Sequence, residues 1–267
     1  MKEIGVVGCG TIGTVICTAL DRGEIAARLA AVSDIDPGRA QQLLATLRRP
    51  CPVLPLPELA RKSDLVVEAA GQNAVRSIID LILDERKDVL IMSSGALLAI
   101  EGLPARFERA GCRLYVPSGA LAGLDAVKAA GLSSIRSITL TTRKSPQSLK
   151  GAPYCLEHGI DVDTLHQETV IFEGSAREAA TGFPQNANVA ATLSLASAGS
   201  AGVLVRIVVD PEATTNSHEI EVVAECGRLL ARMDSVPCPS NPKTSYAAAL
   251  SGIAMIKRIV EPVNIGT

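Results

Sequence analysis

The sequence predicts an α/β protein with a parallel sheet in its first half and a mostly antiparallel sheet in its second half. First, the N-terminal half alternates continuous apolar runs with helical stretches, as in parallel sheets that helices cover on both faces. Second, the strands after about residue 122 alternate apolar and polar residues, as in an antiparallel sheet with one open face. Third, aromatic residues make up only 2% of the 267 residues and Trp is absent, so small aliphatic side chains must build the core.

The first half of the chain alternates predicted strands and helices. The predicted strands are EIGVVG, LAAVSDID, LVVEAAG, VLIMSSG and RLYVPSGA. The predicted helices are TIGTVICTALDRG, PGRAQQLLATL with Pro37 in its first turn, AVRSIIDLILDER and LPARFERAG. This succession predicts one domain over residues 1–121.

The second half contains fewer helices between its strands. The predicted strands are SIRSITLTTRK, QETVIFEGSA, VLVRIVVD and HEIEVVAECG. The uncharged stretch 188–205 is interpreted as a buried helix, a stop at Gly199 and Gly202, and a strand, rather than as a membrane span. We therefore expect an α+β domain over 122–240. A long helix over 241–267, beginning at Asn241-Pro242, is expected to return to the first domain.

Composition and charge narrow the possible functions. Hydrophobic residues make up 47% and charged residues 20% of the chain, as in ordinary soluble globular proteins. The net charge of −2 and the lack of a long basic run argue against a nucleic-acid partner. Seven cysteines, none at CxxC spacing, are expected to be buried small hydrophobes in a reducing compartment. Because the N-terminus enters a strand at once and lacks a signal peptide, we expect a cytoplasmic protein without a membrane partner.

The segment GVVGCGTIG places Gly8, Gly10 and Gly13 in the spacing G-x-G-x-x-G, after a predicted strand and at the start of a predicted helix. The first glycine permits a tight turn, the second lets a pyrophosphate approach the backbone, and the third lets helix and strand pack closely. N–H groups at the helix N-terminus then bind the anion. This context predicts a Rossmann domain that binds a dinucleotide, with Thr11 and Ile12 at the cofactor.

An acidic residue follows the glycine turn at the expected distance. Asp34 stands about 20 residues after Gly13, at the end of the second strand, where a carboxylate accepts hydrogen bonds from the adenosine ribose. Asp36, directly before Pro37, is better suited to capping a helix. Asp34 favours NAD because it repels the 2′-phosphate of NADP, whereas Arg39 softens this preference and keeps NADP open.

Two further strand ends are expected to contact the cofactor. The segments EAAGQN (68–73) and SSGA (93–96) supply small residues where parallel strands end, and these ends line the ligand crevice of open α/β sheets. Within the first segment we assign Ala70, Gly71 and Gln72 to the cofactor. Ordinary turn chemistry is the alternative explanation.

One of the three histidines heads a predicted strand. In HEIEVVA, His218 shares a face with Ile220 and Val222, while Glu219 and Glu221 share the opposite face. His218 is therefore expected to point inward, as a core histidine bonded to a carbonyl or as a functional group. HEIEV lacks the second histidine of HExxH, so no metal site is expected.

Several segments together resemble the L-aspartate dehydrogenase family over essentially the whole chain. They are GVVGCGTIG, EAAGQNAV, SSGAL, PSGALAGLDA, TTRKSP, FPQNANVAATLSLA, TTNSHEI and NPKTSY. FPQNANV combined with TNSHEI is far more specific than the glycine spacing alone. The resemblance implies a Rossmann domain and a substrate domain, usually in a homodimer, that oxidise L-aspartate with NAD or NADP. The product iminoaspartate hydrolyses to oxaloacetate and ammonia, and it can supply early NAD biosynthesis.

The resemblance also implies roles for single residues. The family's active-site histidine falls on His218, and its NAD contacts fall on Ala122 and Asn188. Oxidation of a C–N bond needs a group that accepts a proton from the amine and then activates water, and an imidazole with a pKa of about 6.5 suits both tasks. We expect His218 to face the cleft between the domains, and His158 and His166 to lie on the surface.

The two carboxylates of such a substrate require cations or N–H donors. TTRKSP offers Arg143 and Lys144, and because adjacent strand residues face opposite ways, only one is expected to reach the site; we choose Lys144. Lys150 and Lys243 are alternatives, as is a solvated basic turn. Asn216 is expected to help shape the site.

Other functions are compatible with a two-domain layout. Related reductases such as dihydrodipicolinate reductase or homoserine dehydrogenase share it, although the histidine pair of the former is missing. A divergent member could act on another amino acid. A non-catalytic NAD sensor would need an additional DNA-binding or partner module. An exposed sheet face in the second domain would suit a homodimer.

Overall fold

The computed structural model describes residues 1–184, 187–197, 202–239 and 241–266, without the side chains of residues 242 and 243. The described chain divides into two compact units. The first unit comprises Met1–Pro117 and Ala248–Ile265, and the second comprises Ser118–Ala247 and Gly266.

The first unit contains a parallel sheet of strands in the order β2-β1-β3-β4-β5. These strands are β1 Lys2–Val7, β2 Ala27–Ser33, β3 Leu65–Glu68, β4 Asp88–Ile91 and β5 Leu114–Tyr115. The helices are α1 Thr11–Asp21, α2 Pro37–Thr46, α3 Leu56–Lys62, α4 Gln72–Asp84 and α5 Leu103–Ala110, with a 3-10 helix at Ser94–Ala99. The strand order and the crossing helices confirm the predicted Rossmann-type α/β architecture.

The apolar strands of this sheet are buried on both faces, which explains their continuous hydrophobic runs. Leu65 and Val67 of β3 belong to a core cluster with the buried residues of α1 and α2. Val66, between them, belongs to a second cluster on the opposite face with residues of α4 and α5. Successive residues of one strand therefore stabilise two different helix layers.

The second unit contains a sheet in the order β10-β9-β6-β8-β7, in which only β6 and β8 pair in parallel among the described strands. Its strands are β6 Ile135–Lys144, β7 Thr169–Ser175, β8 Val203–Val209, β9 Asn216–Ala224 and β10 Gly227–Ser235. A two-stranded ribbon follows, β11 Pro237–Cys238 and β12 Asn241–Ser245. The helices are α6 Leu124–Ala130, α7 Pro146–Leu149, α8 Pro153–Glu157, α9 Ala176–Gly182 and α10 Ala187–Ala196, with a 3-10 helix at Val162–Thr164. The predicted α+β class with a mostly antiparallel sheet is confirmed.

The two faces of this second sheet differ in burial, and we name them accordingly. The buried face carries Ile138, Leu140, Thr142 and Lys144 of β6 and Asn216, His218, Ile220 and Val222 of β9. The open face carries Thr139, Thr141, Arg143, Ser217, Glu219 and Glu221. The predicted alternation along HEIEVVA, with the histidine inward and the glutamates outward, is confirmed.

The C-terminal segment departs from the prediction. The expected helix from Asn241 is wrong for its first five residues, because Asn241–Ser245 form β12 and pair with Pro237–Cys238. Helix α11 spans Tyr246–Val260, where the apolar helical periodicity begins. Its part from Ala248 onward belongs to the first unit, and Ile256 lies within the core cluster around α1 and α2.

Two smaller expectations are decided by the described residues. His158 and His166 are exposed, as predicted. The cysteines are free thiols, of which Cys9, Cys17, Cys112, Cys155 and Cys238 are buried, Cys51 is half-buried and Cys226 is exposed. Cys226 therefore departs from the expected burial because it lies in the turn between β9 and β10. No helix within the described ranges is long and apolar enough to cross a membrane. The predicted helix stop at Gly199 lies outside the described residues.

Candidate active site

The glycine turn between β1 and α1 has the geometry that a dinucleotide pyrophosphate requires. Gly8 has a φ of +99°, and a Cβ there would lie 2.4 Å from the carbonyl oxygen of Ala69. A Cβ on Gly13 would lie 1.8 Å from the carbonyl oxygen of Gly8. Around a Cβ on Gly10, by contrast, no described atom lies within 4 Å, so the backbone is open to a ligand. Each glycine thus meets the requirement that its position in the motif predicts.

Gly10 is also the N-cap of α1, and no described side chain caps it. The first turn, which begins with Thr11 and Ile12, contains no acidic residue. Ile12 packs partly buried against the core cluster of α1 and α2, and so anchors the start of the helix. The positive end of the helix dipole is therefore directed at the open backbone of Gly10, which suits an anion.

Asp34 is held at the edge of the same turn. Its carboxylate accepts hydrogen bonds from the backbone N–H of Cys9 at 2.6 Å and of Asp36 at 2.8 Å. Asp36 caps α2 by accepting from the N–H of Gly38 at 2.9 Å, as predicted, and its side chain pairs with Arg39 at 3.5 Å. The carboxylate of Asp34 is therefore pre-oriented, while the exposed Arg39 is paired with Asp36.

The predicted cofactor residues of the first unit gather at the carboxyl edge of its sheet. The N–H of Gly8 donates to the carbonyl of Ser33 at 2.7 Å, and the N–H of Ala69 donates to the carbonyl of Val7 at 2.7 Å. Ala70 and Gly71 follow, and Gln72 begins α4. The ends of β2, β1 and β3 are thereby joined into one surface.

Sequence reasoning missed Glu68, the last residue of β3. Its side chain is fully buried, yet it carries a carboxylate. Burial raises the pKa of this carboxyl, whereas hydrogen bonds from Ser93, Gly71 and Ala70 lower it. The available signal was a single charge that closes the apolar run LVVE. A charge in such a position requires buried hydrogen-bond partners.

Ala122 and Asn188 lie in the second unit, unlike the glycine turn. Ala122 stands in the loop before α6, and Asn188 is the second residue of α10. Helices α6 and α10 contact each other. Both residues are partly exposed.

His218 lies on the buried face of the second sheet with only 4% of its surface exposed. Its Nδ1 lies 3.0 Å from the hydroxyl oxygen of Thr142, directly across the β6–β9 pairing. Burial, and then the charge of Lys144, lower the pKa of His218 to about 3. The expected imidazole pKa near 6.5 is therefore wrong for this site, because desolvation disfavours the imidazolium. The ring is neutral at physiological pH, with Nδ1 engaged by Thr142.

Lys144 ends β6 two residues after Thr142 and on the same face. It is 7% exposed, and burial lowers its pKa to about 8. Asn216, which is 6% exposed, stands two residues before His218 on this face of β9. The predicted substrate residues and the predicted catalytic histidine are thus brought together at one end of adjacent strands.

The alternative cations lie elsewhere. Arg143 points to the open face, where its Nε pairs with Glu168 at 3.0 Å. Lys150 is exposed and forms an ion pair with Asp163. The side chain of Lys243 lies outside the described residues. Among the candidates whose side chains are described, Lys144 alone shares the buried face with His218.

The open glycine turn of the first unit, together with the buried polar group of the second, defines a dinucleotide-dependent oxidoreductase. The family model described as aspartate dehydrogenase, C-terminal, matches residues 125–259, and the model of the homoserine dehydrogenase NAD-binding domain matches residues 8–117. L-aspartate dehydrogenase of Methanosarcina barkeri is 47% identical over 100% of both chains. L-aspartate dehydrogenase 3 of Bordetella bronchiseptica is 42% identical over 100% of this chain and 98% of its own. The chain belongs to the L-aspartate dehydrogenase family.

Solved structures support the same fold. Aspartate dehydrogenase from Thermotoga maritima superposes with a TM-score of 0.74 at 24% identity, and the match covers 100% of both chains. Scyllo-inositol dehydrogenase from Lactobacillus casei, solved with NAD(H) and scyllo-inositol, has a TM-score of 0.57 at 14% identity, covering 100% of this chain and 91% of its own. At these identities the likeness concerns the fold alone.

Proposed function

We propose that this protein catalyses the NAD(P)-dependent oxidative deamination of L-aspartate. In this reaction aspartate, water and NAD⁺ give oxaloacetate, ammonium, NADH and a proton, through iminoaspartate. The observation that carries the proposal is the pairing of a neutral imidazole, His218, with a buried ammonium, Lys144, on one sheet face. One group can accept a proton and the other can bind a carboxylate. Relatives named L-aspartate dehydrogenase over the full length support the substrate.

The first unit supplies the cofactor site in this proposal. The backbone around Gly10 and the N-terminus of α1 bind the pyrophosphate, and Asp34 binds the adenosine ribose. Ala70, Gly71 and Gln72 line the next strand end. The bound nicotinamide accepts the hydride from Cα of aspartate. Ala122 and Asn188 are proposed as further cofactor contacts, by their positions in the family's motifs.

His218 acts as the general base. Hydride loss from Cα requires a neutral amine, so the substrate ammonium must first release a proton, and the free Nε2 of the neutral ring accepts it. The carboxylates of a bound substrate raise the pKa of the imidazole from its low value in the free protein, because nearby negative charge favours the charged form. The same nitrogen then removes a proton from the water that attacks iminoaspartate.

Thr142 and Lys144 complete the substrate side of the site. The hydroxyl of Thr142 holds Nδ1 at 3.0 Å and so fixes the orientation of the ring. The ammonium of Lys144 binds one substrate carboxylate in a setting of low dielectric, where a charge-assisted hydrogen bond is strong. Asn216 offers an amide on the same face for the second carboxylate.

NAD is the proposed preferred cofactor, with NADP as a poorer substitute. The carboxylate of Asp34 is fixed by two backbone N–H groups and cannot easily turn away from a 2′-phosphate. Arg39 is held by Asp36, although it is exposed and free to turn towards such a phosphate. The proposal therefore expects lower KM for NAD than for NADP.

A dehydrogenase assay over a panel of amino acids, with NAD and NADP in parallel, tests the activity. We expect NADH formation with L-aspartate and none above background with homoserine, glutamate or alanine. Activity with another amino acid and none with L-aspartate would contradict the proposed substrate. Since the chain contains no Trp, the fluorescence of bound NADH can be followed with little protein background.

The proposal extends to assembly and cellular role. We propose a homodimer that uses the open face of the second unit, where the apolar Val170 lies among charged side chains around a cavity of about 370 Å³. Light scattering tests this assembly, and a monomer at micromolar concentration would contradict it. We further propose that the enzyme works in the cytoplasm and that its iminoaspartate supplies NAD biosynthesis. Growth of a strain that depends on this protein for iminoaspartate tests the latter role.

A further inference from the structure

We infer that Glu68 is a positioning residue that shapes the site for the nicotinamide half of the cofactor. This inference rests on the proposed dinucleotide site and goes beyond it, because Glu68 itself need not touch the ligand. It concerns the two loops that follow β3 and β4.

One carboxylate joins these two loops. Oε1 of Glu68 accepts hydrogen bonds from the N–H of Ala70 at 2.8 Å and of Gly71 at 2.9 Å, and from the hydroxyl of Ser93 at 2.9 Å. Oε2 accepts from the N–H of Ser93 at 2.9 Å. The side chain is fully buried, so water does not compete for these four bonds.

The arrangement suits only a group that accepts at both oxygens. Three of the four donors are backbone N–H groups, which cannot reverse their role. An amide in place of the carboxylate would direct an NH₂ group at one of these donors and leave it without an acceptor. A buried donor without an acceptor is costly, so the loops would move apart or rearrange.

The strand order locates the affected part of the ligand. Along the carboxyl edge of the sheet, Asp34 ends β2, the glycine turn ends β1, Gly71 follows β3 and Ser93 follows β4. A dinucleotide with its ribose at Asp34 and its pyrophosphate at Gly10 extends towards β3 and β4. Its nicotinamide half therefore lies at the two loops that Glu68 joins.

Gly71 shows why the position of the loop depends on this bond. Its φ of +110° is a conformation that the backbone seldom adopts, and no described atom lies within 4 Å of a Cβ built there. The turn therefore lacks side-chain packing at this point. Its N–H bond to Glu68 is the contact that fixes it.

The test separates the two halves of the cofactor. We would measure the affinity of wild type and Glu68→Gln for NADH, by its fluorescence, and for ADP-ribose, by calorimetry. ADP-ribose contains the adenosine and pyrophosphate but lacks the nicotinamide. We expect the Kd for NADH to rise about tenfold, as the loss of a charge-assisted hydrogen bond implies, and the Kd for ADP-ribose to change less than about twofold.

Asp21→Asn is the matched control. Asp21 is also a buried carboxylate of the first unit, and it accepts from the N–H groups of Arg48 at 2.8 Å and Arg49 at 2.9 Å. It ends α1, whereas the pyrophosphate site is at the beginning of that helix. This variant should lower thermal stability while leaving the ratio of the two dissociation constants unchanged. A purely structural role for Glu68 would give the same pattern.

Ser93→Ala is the second variant in case Glu68→Gln does not fold. It removes only the hydroxyl donor and should raise the Kd for NADH about threefold, with that for ADP-ribose constant. Equal weakening of both ligands, or no change in either, would overturn the inference while wild-type binding still supported the cofactor site. Failure of wild type to bind either ligand would instead refute the proposed function and the inference with it.

Discussion

The two faces of the second unit's sheet carry similar numbers of polar groups and treat them in opposite ways. On the open face, Arg143 pairs with Glu168 at 3.0 Å, and Arg206 pairs with Glu173 at 2.5 Å. These side chains are 24% to 55% exposed, and such pairs contribute little to stability. On the buried face, Thr142, Lys144 and His218 lie in an apolar layer with 7% exposure or less.

Burial therefore gives the second group its chemical character. It lowers the pKa of Lys144 to about 8 and that of His218 to about 3, by the same desolvation. No comparable shift arises for Arg143, one residue away. Buried, perturbed groups are expensive for folding and are concentrated at functional sites. The comparison yields matched variants, since each buried residue has a neighbour on the open face.

The largest expected effect is that of His218→Ala. Removal of the general base should lower kcat about 10²- to 10⁴-fold while leaving the Kd for NADH unchanged, because the ring acts on the substrate. Steady-state kinetics and NADH titration measure the two quantities. Glu219→Gln, the next residue on the open face, should retain wild-type kcat. A kcat near wild type in His218→Ala would refute the acid–base role. Light scattering should accompany every open-face control, so that a change in assembly is recognised.

Lys144→Met should separate function from stability. Without the ammonium, kcat/KM for aspartate should fall about 10²-fold, whereas the Kd for NADH should stay constant. Arg143→Met is the control and should change kcat/KM less than about threefold. If the two variants behaved alike, the assignment of the substrate carboxylate to Lys144 would be wrong.

The same variant should be more stable than wild type below pH 8. Burial disfavours the ammonium in the folded state, so the lowered pKa, about 8 against an ordinary 10.5, means that wild type carries this cost in full below pH 8. The cost disappears as pH rises from about 8 to 10.5. The gain of Lys144→Met should therefore reach up to about 3 kcal/mol below pH 8 and vanish near pH 10.5. Denaturant unfolding across this range measures it.

Activity should follow the same titration. As pH rises through about 8, Lys144 loses the proton that binds the carboxylate, so kcat/KM for aspartate should decrease. Lys144→Arg keeps its charge at every accessible pH and should shift this decrease to higher pH. A decrease at the same pH in both proteins would assign it to another group.

These residues also show how far the sequence could lead. The glycine spacing and Asp34 are predictable, because the turn depends on local backbone and on a carboxylate at a fixed separation. The inward direction of His218, and the choice of Lys144 over Arg143, follow from the alternation of a single strand. Each of these inferences needs only residues that are near one another in the chain.

What was missed depends on residues distant in sequence. The pKa of His218 is set by β6, whose Thr142 is separated from it by 76 residues, and the pairing of β6 with β9 is not written in either strand. The bonds from Ser93 to Glu68 likewise span 25 residues. The strand at Asn241–Ser245 was predicted as helix because its partner at Pro237–Cys238 decides its conformation.

The smallest effect is expected for Thr142→Val. This change keeps the β-branched shape and removes only the hydroxyl at 3.0 Å from Nδ1 of His218. The ring would lose its orientation but not its basicity, so kcat should fall about tenfold, as for one hydrogen bond, with KM for aspartate nearly constant. Thr141→Val makes the same chemical change on the open face and should leave kcat as in wild type. If both variants kept wild-type kcat, His218 would be oriented by the surrounding packing alone; if Thr142→Ser failed to restore the rate, shape rather than the hydroxyl would be the cause.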